Sequence, residues 1–410
     1  MTTTRSAPRV LLGAGLALLA LLALLAGAGP VRAAAPAALG LPPPTGPHRV
    51  GVTSVHLVDR SRPDPWVSTP PYRELMVSVF YPARGVAGHR AAPYMLPKAA
   101  AHFGAVDANG YLGLQVPADV DWAGVRTHAA LGAPVDRRGG RLPVVLYSPG
   151  LGEPRTFATT QVEDLASRGY AVVTIDNTYE SPEVQFPDGS LKVLDFPADP
   201  EAWIHKVVPV RVADTRFVLD TITSGRGLPR ALRGALDPHR IGMWGHSAGG
   251  STAAETMYED RRIRAGVNVD GELNLNFADP AADLMPVAQH GLDRPFLLLG
   301  SDGGDSVTTD ASWAAFWAHR RGWVRDVTMV GSRHHSFDDA EALIPQIDRS
   351  TPLPPGARED DIGTIRPPAR ALAAQETYLA AFFDRWLRGR NDHHLLDGPS
   401  PRWPEMRFVP

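Results

Sequence analysis

The hydrophobic pattern of this chain changes character several times along its length. An apolar run, Val10 to Ala28, gives way to a Pro/Ala-rich stretch ending near residue 48. Val50 to Val58 and Leu75 to Tyr81 are valine-rich with partial period-two alternation, which predicts an antiparallel pair of strands at a sheet edge. Residues 83–140 lose the pattern. They are rich in Ala, Gly and Pro and read as a long irregular insertion, either surface decoration or the wall of a site. After it, short apolar runs and helical segments alternate regularly. Strands are predicted at Leu142 to Tyr147, Ala171 to Ile175, Arg240 to Trp244, Ile263 to Val269, Pro295 to Leu299 and Val324 to Val330. Helices are predicted at Thr156 to Arg168, around Val210 to Thr223, at Gly250 to Tyr258, at Ala311 to Arg320 and at Pro368 to Arg388. This alternation predicts an α/β fold: a mostly parallel central sheet, helices on both faces and an antiparallel N-terminal edge. There is no internal repeat, and residues 49–410 read as a single domain carrying the insertion.

Composition narrows the picture. With 410 residues, 44% of them hydrophobic, the chain can bury a large core. The formal charge of -3 and the lack of a basic, aromatic-rich patch exclude a nucleic-acid binder. Zero cysteines exclude a disulfide framework, a thiol nucleophile and cysteine-ligated metal. The N-terminus has the layout of an export signal: Arg5 and Arg9, the apolar run, then Val31-Arg32-Ala33 as a cleavage region. Residues 1–33 are therefore expected to be a signal peptide, with 34–48 as a Pro/Ala-rich linker and a secreted mature chain. An uncleaved run would instead anchor the protein in a membrane.

Chemistry enters at the strand ends, because open parallel sheets bind ligands beyond the carboxyl ends of their strands. Gly245-His246-Ser247-Ala248-Gly249 lies between a predicted strand and a predicted helix. A G-x-S-x-G pentapeptide in that context is a nucleophile elbow, with Ser247 exposed on a sharp turn. A serine hydroxyl needs a base, and the base needs an orienting carboxylate, in the chain order Ser, acid, His. Of the downstream histidines only His334 and His335 follow a strand directly, so one of them is the expected base. Asp270 and Asp302 each follow a strand and both remain open as the acid; the other is a turn aspartate before glycine. Two backbone N–H donors must hold the oxyanion. Ala248, after the serine, supplies one, and Leu151 in Ser148-Pro149-Gly150-Leu151-Gly152 is placed to supply the other. His393-His394 reads as a solvated pair rather than a metal site, and Trp313, Phe316 and Trp317 as core.

Taken together, these motifs resemble the plasma-type (isoform II) platelet-activating-factor acetylhydrolase family, in a secreted bacterial form. The likeness rests on Pro143 to Gly152, Arg155-Thr156, Asp164 to Ser167, Gly169-Tyr170, Gly245 to Gly250, Val269-Asp270-Gly271 and Gly331 to Asp339. The resemblance implies the α/β-hydrolase fold. It also implies Asp270 rather than Asp302 as the acid, His334 rather than His335 as the base, and Leu151 and Ala248 as the oxyanion donors. Ala248 departs from the bulky aromatic of plasma members, and Asn177 from the histidine of many bacterial relatives. The apolar interfacial helices of plasma members are not evident in Ala99 to Leu131. The expected activity is hydrolysis of carboxylic esters, short-chain acyl esters or phospholipid sn-2 acyl groups, through an acyl-serine. No cofactor or metal is expected, and the partner is a small or lipid ester, with transient contact with a lipid or polymer surface. The rival enzyme is a polyester- or triacylglycerol-directed lipase or cutinase-like hydrolase. The non-enzymatic rival is a secreted binding protein that has kept the elbow by descent.

Overall fold

The computed structural model describes residues 38–410, apart from 195–199, 277, 278 and 280. The expected signal peptide lies outside the described residues. Among the described residues no helix is long and apolar enough to cross a membrane.

Among the described residues twelve strands are formed: β1 (Arg49–Asp59), β2 (Arg73–Ala83), β3 (Ala130–Leu131), β4 (Leu142–Ser148), β5 (Ala171–Asp176), β6 (Glu183–Gln185), β7 (Leu191–Val193), β8 (Leu236–His246), β9 (Ile263–Val269), β10 (Phe296–Ser301), β11 (Val324–Met329) and β12 (Met406–Phe408). The main helices are α1 (Pro97–His102), α2 (Thr159–Ser167), α3 (Pro200–Ser224), α4 (Ala248–Glu259), α5 (Pro286–His290), α6 (Ala311–His319), α7 (Ala340–Ser350), α8 (Ala357–Ile362) and α9 (Pro368–Arg388). Ten strands make one sheet, in the order β12-β11-β10-β9-β8-β4-β5-β2-β1-β3. From β5 to β11 every neighbouring pair is parallel, whereas β1–β2, β2–β5 and β11–β12 are antiparallel. This is the α/β-hydrolase arrangement, with the predicted antiparallel N-terminal edge.

Every residue of β4 and β5 is buried. Helices cover both faces of these strands, so they read as continuous apolar runs rather than alternating ones. One core layer packs Val207, Val208 and Val212 of α3 and Ala253 and Met257 of α4 on the sheet. Trp313 and Phe316 of α6 belong to the same layer, as expected, while Trp317 is only partly buried at its margin. The opposite layer packs Val162 and Leu165 of α2 against Tyr378, Phe382 and Phe383 of α9.

The insertion is more ordered than its sequence suggests. It contains α1, a π-helical turn (Phe103–Asp107), a helical turn (Ala108–Gly110) and β3, which pairs with β1 at the outer edge. Tyr94, Phe103, Leu114 and Trp122 form a third core with Phe157 and with Leu343, Ile344 and Ile347 of α7. These anchors recur with no period of two or 3.6, so no pattern announces them. Residues 38–48 run along the body, where the Thr45 N–H donates to Asp164 (2.9 Å) and the Gly46 N–H to Ser167 (2.8 Å). The carboxyl ends of β4, β8, β9, β10 and β11 share one rim, and the candidate residues gather there.

Candidate active site

Ser247 joins β8 to α4 with φ 54° and ψ -128°. A non-glycine residue held there costs about 1–3 kcal/mol, so the surroundings must enforce it. They do so by close packing. A Cβ on Gly249 would lie 2.0 Å from the Ser148 carbonyl oxygen, and one on Gly245 would lie 2.1 Å from the Gly249 oxygen. Only glycines let β4, β8 and α4 approach this closely. The Ser247 N–H donates to Val269 (2.8 Å), which ties the turn to the end of β9.

Asp270 begins the loop after β9, also at positive φ (52°). Its carboxylate accepts from the Ser301 N–H at 2.7 Å and from His334 Nδ1 at 2.7 Å. A carboxylate only accepts, so Nδ1 carries a proton, and in the neutral imidazole Nε2 keeps a lone pair. Burial alone would raise the Asp270 carboxyl; the hydrogen bond and charge of His334, then the Ser301 N–H, outweigh it and hold the group below its usual range. For His334, burial disfavours the cation, but the Asp270 hydrogen bond and charge, followed by Glu153 and Asp338, overcome that and raise its pKa. The His334 side chain is 45% exposed, so solvent screens part of this effect.

The two open choices separate by contact. His335 Nδ1 bonds Asp338 (2.7 Å), away from Asp270. Asp302 accepts from the Gly331 N–H (2.9 Å) and shapes the loop that carries His334. Ser247, Asp270, His334, Leu151 and Ala248 all line one cavity of about 660 Å³. Ile204 and Val208 of α3 give it an apolar wall, and Glu272, Asp302 and Asp305 an acidic rim. Burial, then the charge of Asp270, pushes Asp305 up to about 8. None of the lining residues comes from 83–140, so the insertion does not wall this cavity.

A buried polar layer beneath the Pro149-Gly150-Leu151 turn escaped sequence reasoning. Glu153 accepts from the Gly150 N–H (2.8 Å) and from His246 Nδ1 (2.7 Å). Arg211 of α3 donates to the carbonyls of Pro149 (2.6 Å) and Gly150 (3.3 Å) and to Glu180 (2.9 Å). Burial opposes charge on Glu153, yet His246 holds its carboxyl below its usual range. The His246 and His334 rings lie against each other, centroids 4.4 Å apart and planes tilted by 41°. One signal was present: Arg211 and Asp214 interrupt the valine-rich buried face of α3, where an unpaired charge would be prohibitive.

The family model for platelet-activating factor acetylhydrolase, isoform II, matches residues 34–186 and 228–348. The chain belongs to this family. As a platelet-activating factor acetylhydrolase isoform II member it stands among carboxylic ester hydrolases. It is 30% identical over 401 residues to a probable 1-alkyl-2-acetylglycerophosphocholine esterase of Arthroderma benhamiae, covering 93% of this chain and 97% of that one. It is 22% identical to the platelet-activating factor acetylhydrolase of Cavia porcellus, over 67% of each chain. A solved ferulic acid esterase from Streptomyces cinnamoneus is 38% identical, with a TM-score of 0.73, covering 91% of this chain and all of that one. The family match skips residues 187–227, which include Ile204 and Val208. One apolar wall of the cavity therefore lies outside what the isoform II family model describes.

Proposed function

We propose that this protein is a secreted serine esterase that cleaves carboxylic esters through an acyl-serine intermediate. One observation carries the proposal: a strained, cavity-facing Ser247 shares its cavity with an Asp270–His334 pair whose Nε2 is left to accept a proton. His334 Nε2 takes the Ser247 hydroxyl proton as Oγ attacks the ester carbonyl. The backbone N–H groups of Leu151 and Ala248 receive the oxyanion, and Asp270 stabilises the imidazolium. Collapse expels the alcohol, which takes the proton from His334. Water, deprotonated by His334, then attacks the acyl-serine; collapse breaks the acyl–Oγ bond, His334 returns its proton to Ser247 Oγ, and the carboxylic acid leaves.

The substrate is a short acyl ester. Ala248 leaves room beside the nucleophile where plasma members carry an aromatic side chain, and Ile204 and Val208 supply the apolar wall. A second version places a hydroxycinnamoyl group on that wall. It is favoured by the 38% identity to a ferulic acid esterase, against 30% to the glycerophosphocholine esterase. Parallel assays with p-nitrophenyl butyrate, methyl ferulate and a short sn-2 acyl phospholipid separate these substrates. Turnover of none of them by a folded protein would remove the esterase assignment. Export rests on the N-terminal pattern alone. The mass of the secreted chain tests it, with a mature N-terminus expected at Ala34.

A further inference from the structure

The insertion carries a second polar cluster, on the π-helical turn after α1. Asp107 lies five positions after His102. In an α-helix positions so spaced point about 140° apart. The wider turn at Phe103–Asp107, closed by the Ala108 N–H on the Phe103 carbonyl, lets both face β6. His102 Nδ1 lies 2.8 Å from Asp107 and 3.5 Å from Glu183 of β6. One ligand atom from each residue lies within 4.8 Å of the other two.

What distinguishes this cluster from a surface acidic patch is that buried carboxylate oxygens in it lack a hydrogen-bond donor among the described residues. Asp107 is 0% and Glu183 2% exposed. Among the described residues no hydrogen-bond donor reaches Asp107 Oδ1 or either carboxylate oxygen of Glu183. The facing cation, Arg155, is engaged by Asp176 and Ser78. Buried carboxylates persist when they are paired or coordinate a metal.

We propose that His102, Asp107 and Glu183 form a binding site for a divalent cation of the zinc class. One imidazole nitrogen and two carboxylates are a borderline donor set suited to zinc, whereas calcium takes six to eight oxygens. The His102 side chain is 21% exposed, which gives the ion access and leaves a coordination position for water. The ion would clasp the insertion to the β6–β7 hairpin. The site is structural, and its test does not depend on ester hydrolysis.

The test is zinc binding by the mature protein, stripped with EDTA and dialysed, followed by calorimetry and thermal melting, with calcium as control. Wild type should bind one equivalent of zinc that both Glu183→Gln and His102→Ala weaken at least tenfold, with loss of the accompanying rise in Tm. Without metal, Glu183→Gln should melt no lower than wild type, because it removes the carboxylate opposite Asp107. His102→Ala, at the accessible edge, keeps the test valid if Glu183→Gln folds poorly. Absence of saturable binding in wild type, or equal binding in both variants, would overturn the site. Failure to bind zinc combined with a lower metal-free Tm for Glu183→Gln would point instead to a proton shared between the two carboxyls, and would also overturn it.

Discussion

Two carboxylate–imidazole pairs stand side by side in this molecule with the same separation. Asp270–His334 and Glu153–His246 are each joined at Nδ1 over 2.7 Å, and the two tilted rings have centroids 4.4 Å apart. Their surroundings differ. The His334 side chain is 45% exposed and lines the cavity with Ser247; His246 is 0% exposed and its Nε2 meets no protein partner among the described residues. The proposed proton carrier is the pair that water and substrate reach. The buried pair fixes a loop: through Glu153 it grips the Gly150 N–H, and Arg211 holds the carbonyls of the same turn. On the proposed mechanism, the same pair chemistry would serve as a proton relay where water and substrate reach it and as a brace where they do not.

The comparison breaks most completely at the nucleophile. Ser247→Ala should lower turnover of p-nitrophenyl butyrate by about 10⁵–10⁶-fold with unchanged far-UV circular dichroism. Next comes the acid. Asp270→Asn should cost about 10⁴-fold in kcat, because the amide favours the wrong histidine tautomer. Asp302→Asn alters a side chain that accepts from the Gly331 N–H on the cavity rim, and should cost about tenfold or less. Equal losses in the two variants would erase the distinction between the strand ends.

The buried pair should give a smaller and different effect. Glu153→Gln keeps the shape but removes a charge, and it should lower kcat about tenfold to a hundredfold by loosening the Leu151 turn, less than the loss of a whole oxyanion donor. Its pH signature has a definite sign. His334 must be neutral to act as base, and its pKa is raised, so kcat/KM should climb with pH along an acid limb between 6.5 and about 9. Glu153 is one of the charges that raise it, so Glu153→Gln should move that limb to lower pH. A limb that does not move would make Glu153 a packing residue alone. The smallest expected effect lies on the acyl side. Ala248→Leu keeps the backbone donor but fills space, and should reduce kcat/KM for longer acyl chains about tenfold more than for acetyl esters.

How much of this was legible in the sequence follows from the range of each interaction. The elbow and the regular strand–helix alternation are local, so Ser247, Ala248 and the parallel sheet could be read directly. His334 and Asp270 could be narrowed to strand ends, but separating them from His335 and Asp302 required the family resemblance, since the partner contact spans 64 residues. Glu153 and Arg211 lie farther out of reach. Their roles depend on contacts 93 and 62 residues away, and neither carries a motif. The insertion was misjudged for the same reason: Phe103 and Trp122 pack on Phe157 and α7, so tertiary contact orders a segment with no period of its own.

The most direct test of the central claim is covalent labelling by an organophosphate followed by peptide mass mapping. The account predicts one modification, on the peptide containing Ser247, that appears in step with loss of esterase activity, is absent in Ser247→Ala and forms far more slowly in Asp270→Asn. Labelling of another serine, or full inactivation with Ser247 unmodified, would contradict it.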